Sequence, residues 1–265
     1  MMRFLCAILV FLTGSLFATA AFCFDNKFDV RGLQPVQPNG IFSTFSTSTN
    51  ETGVLSVETE GDYFVNPSFY RFSLASAFGL TDDLEISSTV PFRLQNKQDG
   101  FEDGSIGIRN RLFDEDGLLP SAGLLLSVSP PSGRDDLTTE GRYGGGLILS
   151  KKIGPFNAHT NVFFFVPFMQ GLKTEIDVLL GSELKVANNI SIIAELDTKK
   201  SHFSNSFDYM EGRLGYRYRP LDFLYTTLGA GYEIRRRNPD IRIFLTFTFI
   251  YPQKKVTLKH IYEEE

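Results

Sequence analysis

Apolar and polar residues alternate with a period of two along most of the chain, from about residue 53 to residue 251. Such alternation is typical of β-strands that separate an apolar environment from a polar one. In one clear example, Leu84, Ile86, Val90 and Phe92 alternate with mostly polar side chains. No segment keeps the 3.6-residue period of an amphipathic helix. We therefore predict an all-β fold of twelve strands, over 53–64, 67–79, 83–95, 104–113, 121–130, 143–153, 156–168, 174–187, 190–199, 209–219, 223–235 and 241–251.

The segments between these strands alternate in length. Residues 154–155 and 187–189 are tight turns, whereas 96–103, 131–142 and 200–208 are longer and more polar. Short turns at one end and long loops at the other, with an even strand count, are typical of outer-membrane barrels. The pattern predicts an antiparallel transmembrane β-barrel with short periplasmic turns, longer external loops and both termini on the periplasmic side.

Charged residues follow the polar stripes and are almost absent from the apolar ones, with Lys151 at a strand end as the exception. Because a charge that faces lipid at mid-depth of a barrel costs about 2–4 kcal/mol, this segregation indicates an apolar outer face and a polar lumen. A soluble sandwich or lipocalin would show the same alternation with the faces reversed. Strand lengths near the ~9–11 residues that cross a bilayer and aromatic residues near strand ends favour the membrane barrel. The predicted lumen-lining charges are Arg71, Arg93, Arg109, Arg111, Glu175, Asp177, Glu183, Glu195, Asp197, Arg213, Arg217 and Glu233.

The N-terminus has the features of a secretory signal peptide. Arg3 precedes a short apolar run, and Ala18-Thr19-Ala20 fits a cleavage site, so residues 1–20 are predicted to be removed. The predicted organisation is then an N-terminal periplasmic or lumen-associated segment (21–52), the barrel (53–251) and a charged periplasmic tail (252–265). Three alternatives are open for 31–52: a periplasmic lead-in, an insert that plugs the lumen, or an extra strand.

Composition bears on the classes of partner and cofactor. A net charge of −5 gives no electrostatic reason to expect a nucleic-acid partner. Only two Cys exist, and Cys6 lies in the signal peptide, which excludes an internal disulfide framework. The His spacings fit no metal pair, so we expect no metal and no cofactor. The expected partners are outer-membrane lipid, the barrel insertion machinery and a small-molecule solute.

Three segments carry a resemblance to a known family. They are 79–92, 99–113 and 127–156, which include Pro131-Ser132-Gly133-Arg134 and Gly144-Gly145-Gly146. They resemble the outer-membrane transporter family named for the MetA pathway of phenol degradation. The resemblance implies a β-barrel in the outer membrane of a Gram-negative bacterium and passage of aromatic or other hydrophobic compounds.

The motifs of this resemblance belong to turns and strands rather than to a chemical site. The chain also departs from the usual end of outer-membrane barrels, an aromatic residue that the insertion machinery reads. Here Tyr251 closes the last strand and the charged tail follows.

The lumen charges admit two interpretations. Four arginines between residues 71 and 111 and five carboxylates between 175 and 197 are placed on nearly opposite walls. They would then set up a transverse field that selects polar solutes by their dipole. Alternatively, each charge pairs with a neighbour, for example Arg213 or Arg217 with Glu233, because side chains largely fill the interior of a small barrel.

Phe163, Phe165 and Phe244 are apolar residues on inward stripes. They form a hydrophobic path for an aromatic solute in one interpretation. In the other, they pack against a loop that folds into the mouth of the barrel.

A lipid hydrolase is the enzymatic alternative. His202 has Ser201 and Ser204 close by in a predicted external loop, but adjacent loop residues seldom point together. His159 faces inward near the periplasmic end, and no Ser is expected at its depth. We therefore predict no enzyme but a passive channel for small molecules. A closed structural or adhesive barrel is the main alternative, and the hydrolase is less favoured.

Overall fold

The period-two alternation forms long antiparallel strands in the computed structural model, which describes residues 31–66, 68–95, 99–134, 137–138, 140–235 and 241–252. The predicted signal peptide (1–20) and residues 253–265 of the predicted tail lie outside the described residues. The strands are numbered in chain order. Three are two-residue strands, β1 (Gly40–Ile41), β2 (Thr44–Phe45) and β6 (Gly100–Phe101). The long strands are β3 (Leu55–Val65), β4 (Ser68–Gly79), β5 (Leu84–Leu94), β7 (Ser105–Phe113), β8 (Ser121–Ser129), β9 (Arg142–Ile153), β10 (Phe156–Pro167), β11 (Glu175–Ala187), β12 (Ile190–Lys200), β13 (Tyr209–Leu221), β14 (Leu224–Glu233) and β15 (Ile241–Tyr251).

The twelve long strands close into one barrel. Each pairs antiparallel with the next, and β15 pairs with β3 from Arg242 opposite Phe64 to Tyr251 opposite Leu55. Closure leaves no unpaired sheet edge, so the wall is complete without any other part of the chain. The prediction of an all-β, twelve-stranded antiparallel barrel is confirmed, and every strand end lies within two residues of its predicted position.

The connections define two ends of the barrel. At the turn end lie the connections 80–83, 114–120, 154–155, 188–189 and 222–223. At the loop end lie the longer connections 95–104, 130–141, 168–174, 201–208 and 234–240, together with the two-residue connection 66–67. The two-residue turn after β9 depends on Gly154, whose φ of 59° lies in the left-handed region that glycine adopts without strain.

The outer face is apolar and the inner face polar, as the stripes predict. On the outer face, Leu74, Leu126 and Leu214 are 52%, 66% and 62% exposed. On the inner face, Arg71 and Arg109 are each only 1% exposed. Since a folded protein in water does not leave apolar side chains exposed on every strand, this face fits contact with lipid.

No helix in the described part of the chain is long and apolar enough to cross a bilayer.

Leu214 provides a test of the outer face. It lies in the middle of β13, between Ala194 and Ala230 on the neighbouring strands. We predict that Leu214→Arg lowers the free energy of unfolding in phospholipid vesicles by about 2–4 kcal/mol, because the charge meets hydrocarbon. Urea unfolding followed by circular dichroism measures the loss. The control is Leu118→Arg in the turn 114–120, where Leu118 is 96% exposed, and its effect should stay within about 0.5 kcal/mol. Equal effects of the two substitutions would contradict an apolar belt in lipid.

Candidate functional site

Residues 31–50, which we call the lumen segment, lie inside the barrel. The segment begins in the loop-end third, where Arg31 pairs with Glu60 and Asp62. It descends to Pro38 near the turn end, turns back through the β1–β2 hairpin, and leaves at the turn end after Asn50. Of the three alternatives for residues 31–52, the structure shows the second, an insert into the lumen. The predicted periplasmic N-terminus of the mature chain, in residues 21–30, lies outside the described residues.

Gln37 is one of the residues that hold the segment to the wall. Its backbone N–H donates to Glu58 Oε2 at 3.1 Å, and its side-chain Nε2 donates to Thr246 Oγ1 at 3.2 Å. Its Oε1 accepts from Arg217 Nε at 3.1 Å and from Thr227 Oγ1 at 2.6 Å. Through its backbone N–H and its buried side chain, this one residue thus connects the segment to four strands of the barrel.

Glu195 of β12 binds the hairpin. Its Oε2 accepts from the backbone N–H groups of Ser43 and Thr44 at 2.9 and 2.7 Å, and from Thr44 Oγ1 at 2.7 Å. Its Oε1 pairs with Arg213 at 2.5 Å. A carboxylate that accepts several hydrogen bonds and faces an arginine is well satisfied despite its burial.

Arg109 of β7 binds the hairpin from the other side of the lumen. Its Nη1 donates to the carbonyl oxygens of Asn39 and Ser46, both at 2.9 Å. Its Nη2 pairs with Glu85 Oε1 at 2.7 Å. The arginine therefore joins both arms of the hairpin to the wall.

The lumen segment touches all twelve strands of the barrel. Eleven make hydrogen bonds to it, and β11 contacts it through Gly181, where an added Cβ would lie 3.0 Å from Thr44 Cβ. The glycine lets the hairpin approach the wall closely. The wall partners are Glu58, Ala77, Thr89, Arg109, Ser121, Ser150, Asn161, Glu195, Arg217, Thr227 and Thr246.

Of the three phenylalanines predicted as a hydrophobic path, Phe163 and Phe244 contact rings of the lumen segment, and Phe165 packs on Phe163. Phe45 packs edge-to-face on Phe163 with ring centroids 5.9 Å apart, and Phe42 packs edge-to-face on Phe244 at 4.5 Å. Phe165 also packs in this region. The space predicted for a solute path is therefore occupied. The rings pack against an inserted part of the chain, as in the second interpretation, but this part is the N-terminal lumen segment and not a loop. The buried cluster consists of Leu33, Phe45, Leu125, Ile148, Phe163, Phe165 and Leu179.

The predicted lumen charges all lie on the inner face. Eleven of the twelve are buried; Arg111, at the turn end, is partly exposed and pairs with Asp83 and Asp114. On the acidic wall, Arg142 pairs with Glu175, Arg217 lies 3.5 Å from Glu183, and Arg213 pairs with Glu195 and with Asp197 at 3.1 Å. The charges thus pair with neighbours on the same wall, which replaces the expected field between opposite walls.

Several residues of this network were not identified from the sequence. Glu102, in the loop after β5, is buried and accepts from Arg71 at 3.1 Å and from Arg93 at 2.6 Å. Arg142 begins β9 one residue before the predicted start, and Lys199 follows Asp197 at the same period of two. A strict extension of the inward stripes would have found Arg142 and Lys199. Nothing in the sequence marks Glu102 as a lumen residue.

Two of the loops at the loop end are joined by Asp103. Asp103 Oδ1 accepts from the backbone N–H groups of Ser132 and Gly133 at 3.0 and 2.9 Å, and from Thr138 Oγ1 at 2.8 Å, so the loops 95–104 and 130–141 are joined. Beside the lumen segment, a cavity of about 50 Å³ is lined by Arg31, Phe165 and Lys199 among others. It has room for a few water molecules but not for an organic solute.

The residues considered for a hydrolase do not come together. His202 Nδ1 bonds to the Lys173 carbonyl at 2.9 Å and Nε2 lies 3.2 Å from Glu175, while Ser201 donates to Asp208. Ser204 lies beside Ser206. Burial lowers the pKa of His202, and the Glu175 carboxylate opposes this shift. His202 thus links two loops at the loop end.

The expectation that His159 has no serine at its depth is wrong. Ser150 is its direct partner across the β9–β10 ladder, with Oγ 2.8 Å from Nδ1. Ser150 Oγ also accepts the backbone N–H of Thr47 at 3.0 Å, so the pair supports the lumen segment.

Solved structures share this fold. The KdgM porin in complex with disordered oligogalacturonate matches with a TM-score of 0.56 and 12% identity, over 73% of this chain and 98% of that one. The NanC porin matches with a TM-score of 0.59 and 10% identity over the same shares. An outer membrane channel from Pseudomonas putida F1 matches with a TM-score of 0.54 and 13% identity, over 77% of this chain and 98% of that one. No protein-family model matches the chain, and no curated protein matches it in sequence. At these identities the likeness shows the fold, that of outer-membrane channel barrels.

The exit of the lumen segment is tied to the turn 80–83 by Asp82. Its Oδ1 accepts from Thr52 N–H at 2.9 Å and from Thr52 Oγ1 at 2.7 Å, while Thr49 Oγ1 donates to the Asp82 backbone carbonyl at 2.6 Å. The two hydrogen bonds from Thr52, the backbone one first, hold the pKa of Asp82 below its ordinary value of 3.8. Their contribution to stability is therefore present above that value and is lost as the pH falls through the lowered pKa.

We predict that Thr52→Ala raises the pKa of Asp82 towards its ordinary value without reaching it, because the backbone N–H remains. A carboxyl ¹³C titration in micelles, assigned with Asp82→Asn, measures the change. Thr49→Ala is the matched control and should leave the pKa unchanged. An equal rise in both variants would rule out a specific bond from the Thr52 hydroxyl.

Proposed function

We propose that this protein is an outer-membrane channel for small molecules, closed by its own lumen segment and opened when that segment is released. In this proposal the signal peptide is cleaved during secretion. The turn end of the mature barrel then faces the periplasm, and the loop end faces the outside. Outer-membrane lipid would then surround the apolar face, and the barrel insertion machinery would place the chain in the membrane.

The observation that carries the proposal is that the barrel wall closes without the lumen segment. Since β15 pairs directly with β3, no ladder hydrogen bond of the wall depends on residues 31–50. The segment can leave the lumen while the sheet stays intact. The fold similarity to porins and to an outer membrane channel supports the same reading.

The contacts of the segment are of a kind that water can replace. Most are hydrogen bonds to hydroxyl, amide and charged groups, each with a net contribution of about 0.5–1.5 kcal/mol because water competes for the same groups. Release would expose Glu195, Arg109 and Gln37 to water, with Arg213 and Glu85 still beside the two charges. The polar part of the cost is thus spread over many small contributions, to which the burial of Leu33 and Phe45 in an apolar cluster is added.

A closed structural or adhesive barrel is the second candidate, and the apolar cluster around Phe45 favours it. Leu33 and Phe45 bury apolar surface against Phe163 and Phe165, and exposing that surface to water costs free energy. The external loops would then carry the function.

We also propose that the channel belongs to the MetA-pathway family and that its solute is a small aromatic or hydrophobic molecule. Release of the lumen segment would uncover Phe163, Phe165 and Phe244, and these rings would contact such a solute as it passes. The resemblance in residues 79–156 supports this part of the proposal.

A disulfide between the segment and the wall tests the gate. Thr44→Cys with Gly181→Cys would place two Cβ atoms 3.0 Å apart, so the hairpin must move by about half an ångström to reach disulfide geometry. We predict that the reduced double variant, in a Cys23→Ser background, gives discrete single-channel steps in planar bilayers. Oxidation should abolish them, and reduction should restore them, because the bond holds the segment in the lumen.

The two single-cysteine variants are the controls and should conduct equally with and without oxidant. Steps that persist in the fully oxidised double variant would contradict gating by the segment. A folded barrel that never conducts, reduced or oxidised, would favour the closed structural barrel.

A further inference from the structure

We propose that the turn end of the lumen holds a binding site for a small organic anion, with a carboxylate as the recognised group. The inference deepens the proposed channel function, because it names the class of solute that meets the barrel at this end.

Two neighbouring cavities form the space for the ligand. Their volumes are about 330 and 270 Å³, and both are lined by Pro38, Ser48, Asn157, Glu183 and Lys185. Volumes from about 300 Å³ upwards are typical of sites for small organic molecules. The lumen segment forms the inner boundary of both cavities, and strands of the wall form the sides.

The charges around this space are predominantly positive. Lys152 lines one cavity, Arg219 lines the other, and Lys185 lines both. In the part of the chain that the structure describes, none of the three forms an ion pair. Lys152 and Lys185 are exposed and Arg219 is half-buried. A cation without a carboxylate partner attracts an anionic ligand, although water weakens the attraction of the two exposed lysines.

The acidic groups nearby are already paired. Lys151 lies 2.8 Å from Glu115, and the Lys151 ammonium and the Lys152 backbone N–H hold the pKa of Glu115 below its ordinary value. Glu183 lies 3.5 Å from Arg217. The charge of Lys152 also contributes to the lowered pKa of Glu115. Neither carboxylate, however, forms an ion pair with Lys152, Lys185 or Arg219 in the described part of the chain.

The geometry brings the cations to one side of the space. Lys152 and Glu183 are the two cross-strand partners of Asn157, and Lys185 follows Glu183 on the same face of β11. The Asn157 amide adds a hydrogen-bond donor between the two lysines. A carboxylate can thus meet two ammonium groups and an amide within one wall.

Two features favour an organic anion over an inorganic one. The cavities are larger than a phosphate or sulfate ion requires. Pro38 gives both an apolar face, and Tyr225 adds a second one to the smaller cavity. A ring-bearing carboxylate would use both the cations and these faces. At the loop end, by contrast, Arg71, Arg93 and Arg142 already face Glu102 or Glu175.

Isothermal titration calorimetry on the full mature protein in micelles tests the proposal with benzoate as the probe. Benzyl alcohol and benzylamine have the same ring with a neutral and a cationic group. We expect benzoate to bind and added salt to lower its affinity. Benzyl alcohol and benzylamine should bind at least about tenfold more weakly than benzoate. No benzoate binding, or equal binding of benzyl alcohol, would overturn the proposal.

The double variant Lys152→Gln/Lys185→Gln removes both positive charges and keeps polar side chains, and it should weaken benzoate binding by at least about tenfold. Lys173→Gln, an exposed lysine at the loop end, is the matched control and should bind as the unaltered protein does. Unchanged affinity in the folded double variant would overturn the site. Because binding is measured on the closed barrel, it remains measurable even if the disulfide experiment shows no channel.

Discussion

Ionised side chains enclosed in a narrow barrel must find partners inside that barrel, and this constraint decides where the N-terminal chain lies. Arg109 and Glu195 are almost completely buried, and each uses the lumen segment to complete its hydrogen bonds. A buried charge without such partners would cost several kcal/mol. The lumen segment therefore does more than fill space, because it satisfies groups that the wall alone leaves unsatisfied or exposed to water.

The barrel itself was predictable because its signal is local and repeated. A period of two decides which face each residue takes, and the segregation of charge decides which face meets lipid. The strand from Leu84 shows both at once, with Ile86 outside and Glu85 inside. Only the ends of the strands shifted, as with Arg142, where one residue beyond the predicted start carries an important charge.

The pairing of Ser150 with His159 was also within reach of the sequence. A two-residue turn at 154–155 places Ile153 opposite Phe156, and counting back along the antiparallel ladder places Ser150 opposite His159. The prediction failed because the register was not followed through the turn. Such counting works only where the turn is tight, and it gives no register across the longer loops.

The position of the lumen segment could not be predicted in the same way. Its partners are far away in the sequence, as Thr44 and Glu195 show, which lie 151 positions apart. Its serines and threonines would suit a strand, a linker or an insert equally well. The choice among these is made by the fit between the hairpin and the finished lumen, which includes Gly181 at the closest approach. Glu102 was missed for the same reason, because its burial depends on how a loop folds back over the barrel.

The outer face of the barrel and the contacts of the lumen segment differ in whether water can take the place of their partners. This difference bears on the proposed gating. The outer face gains free energy only when lipid or another apolar phase covers it, so the barrel in its membrane is held firmly. The contacts of the lumen segment are largely with polar groups that water can also satisfy, apart from the cluster around Phe45. Loss of the segment would therefore leave the wall intact and exchange one set of hydrogen bonds for another. In the proposed channel, opening would be limited mainly by the burial of Leu33 and Phe45, so substitutions at this apolar contact would be expected to change how readily the segment is released.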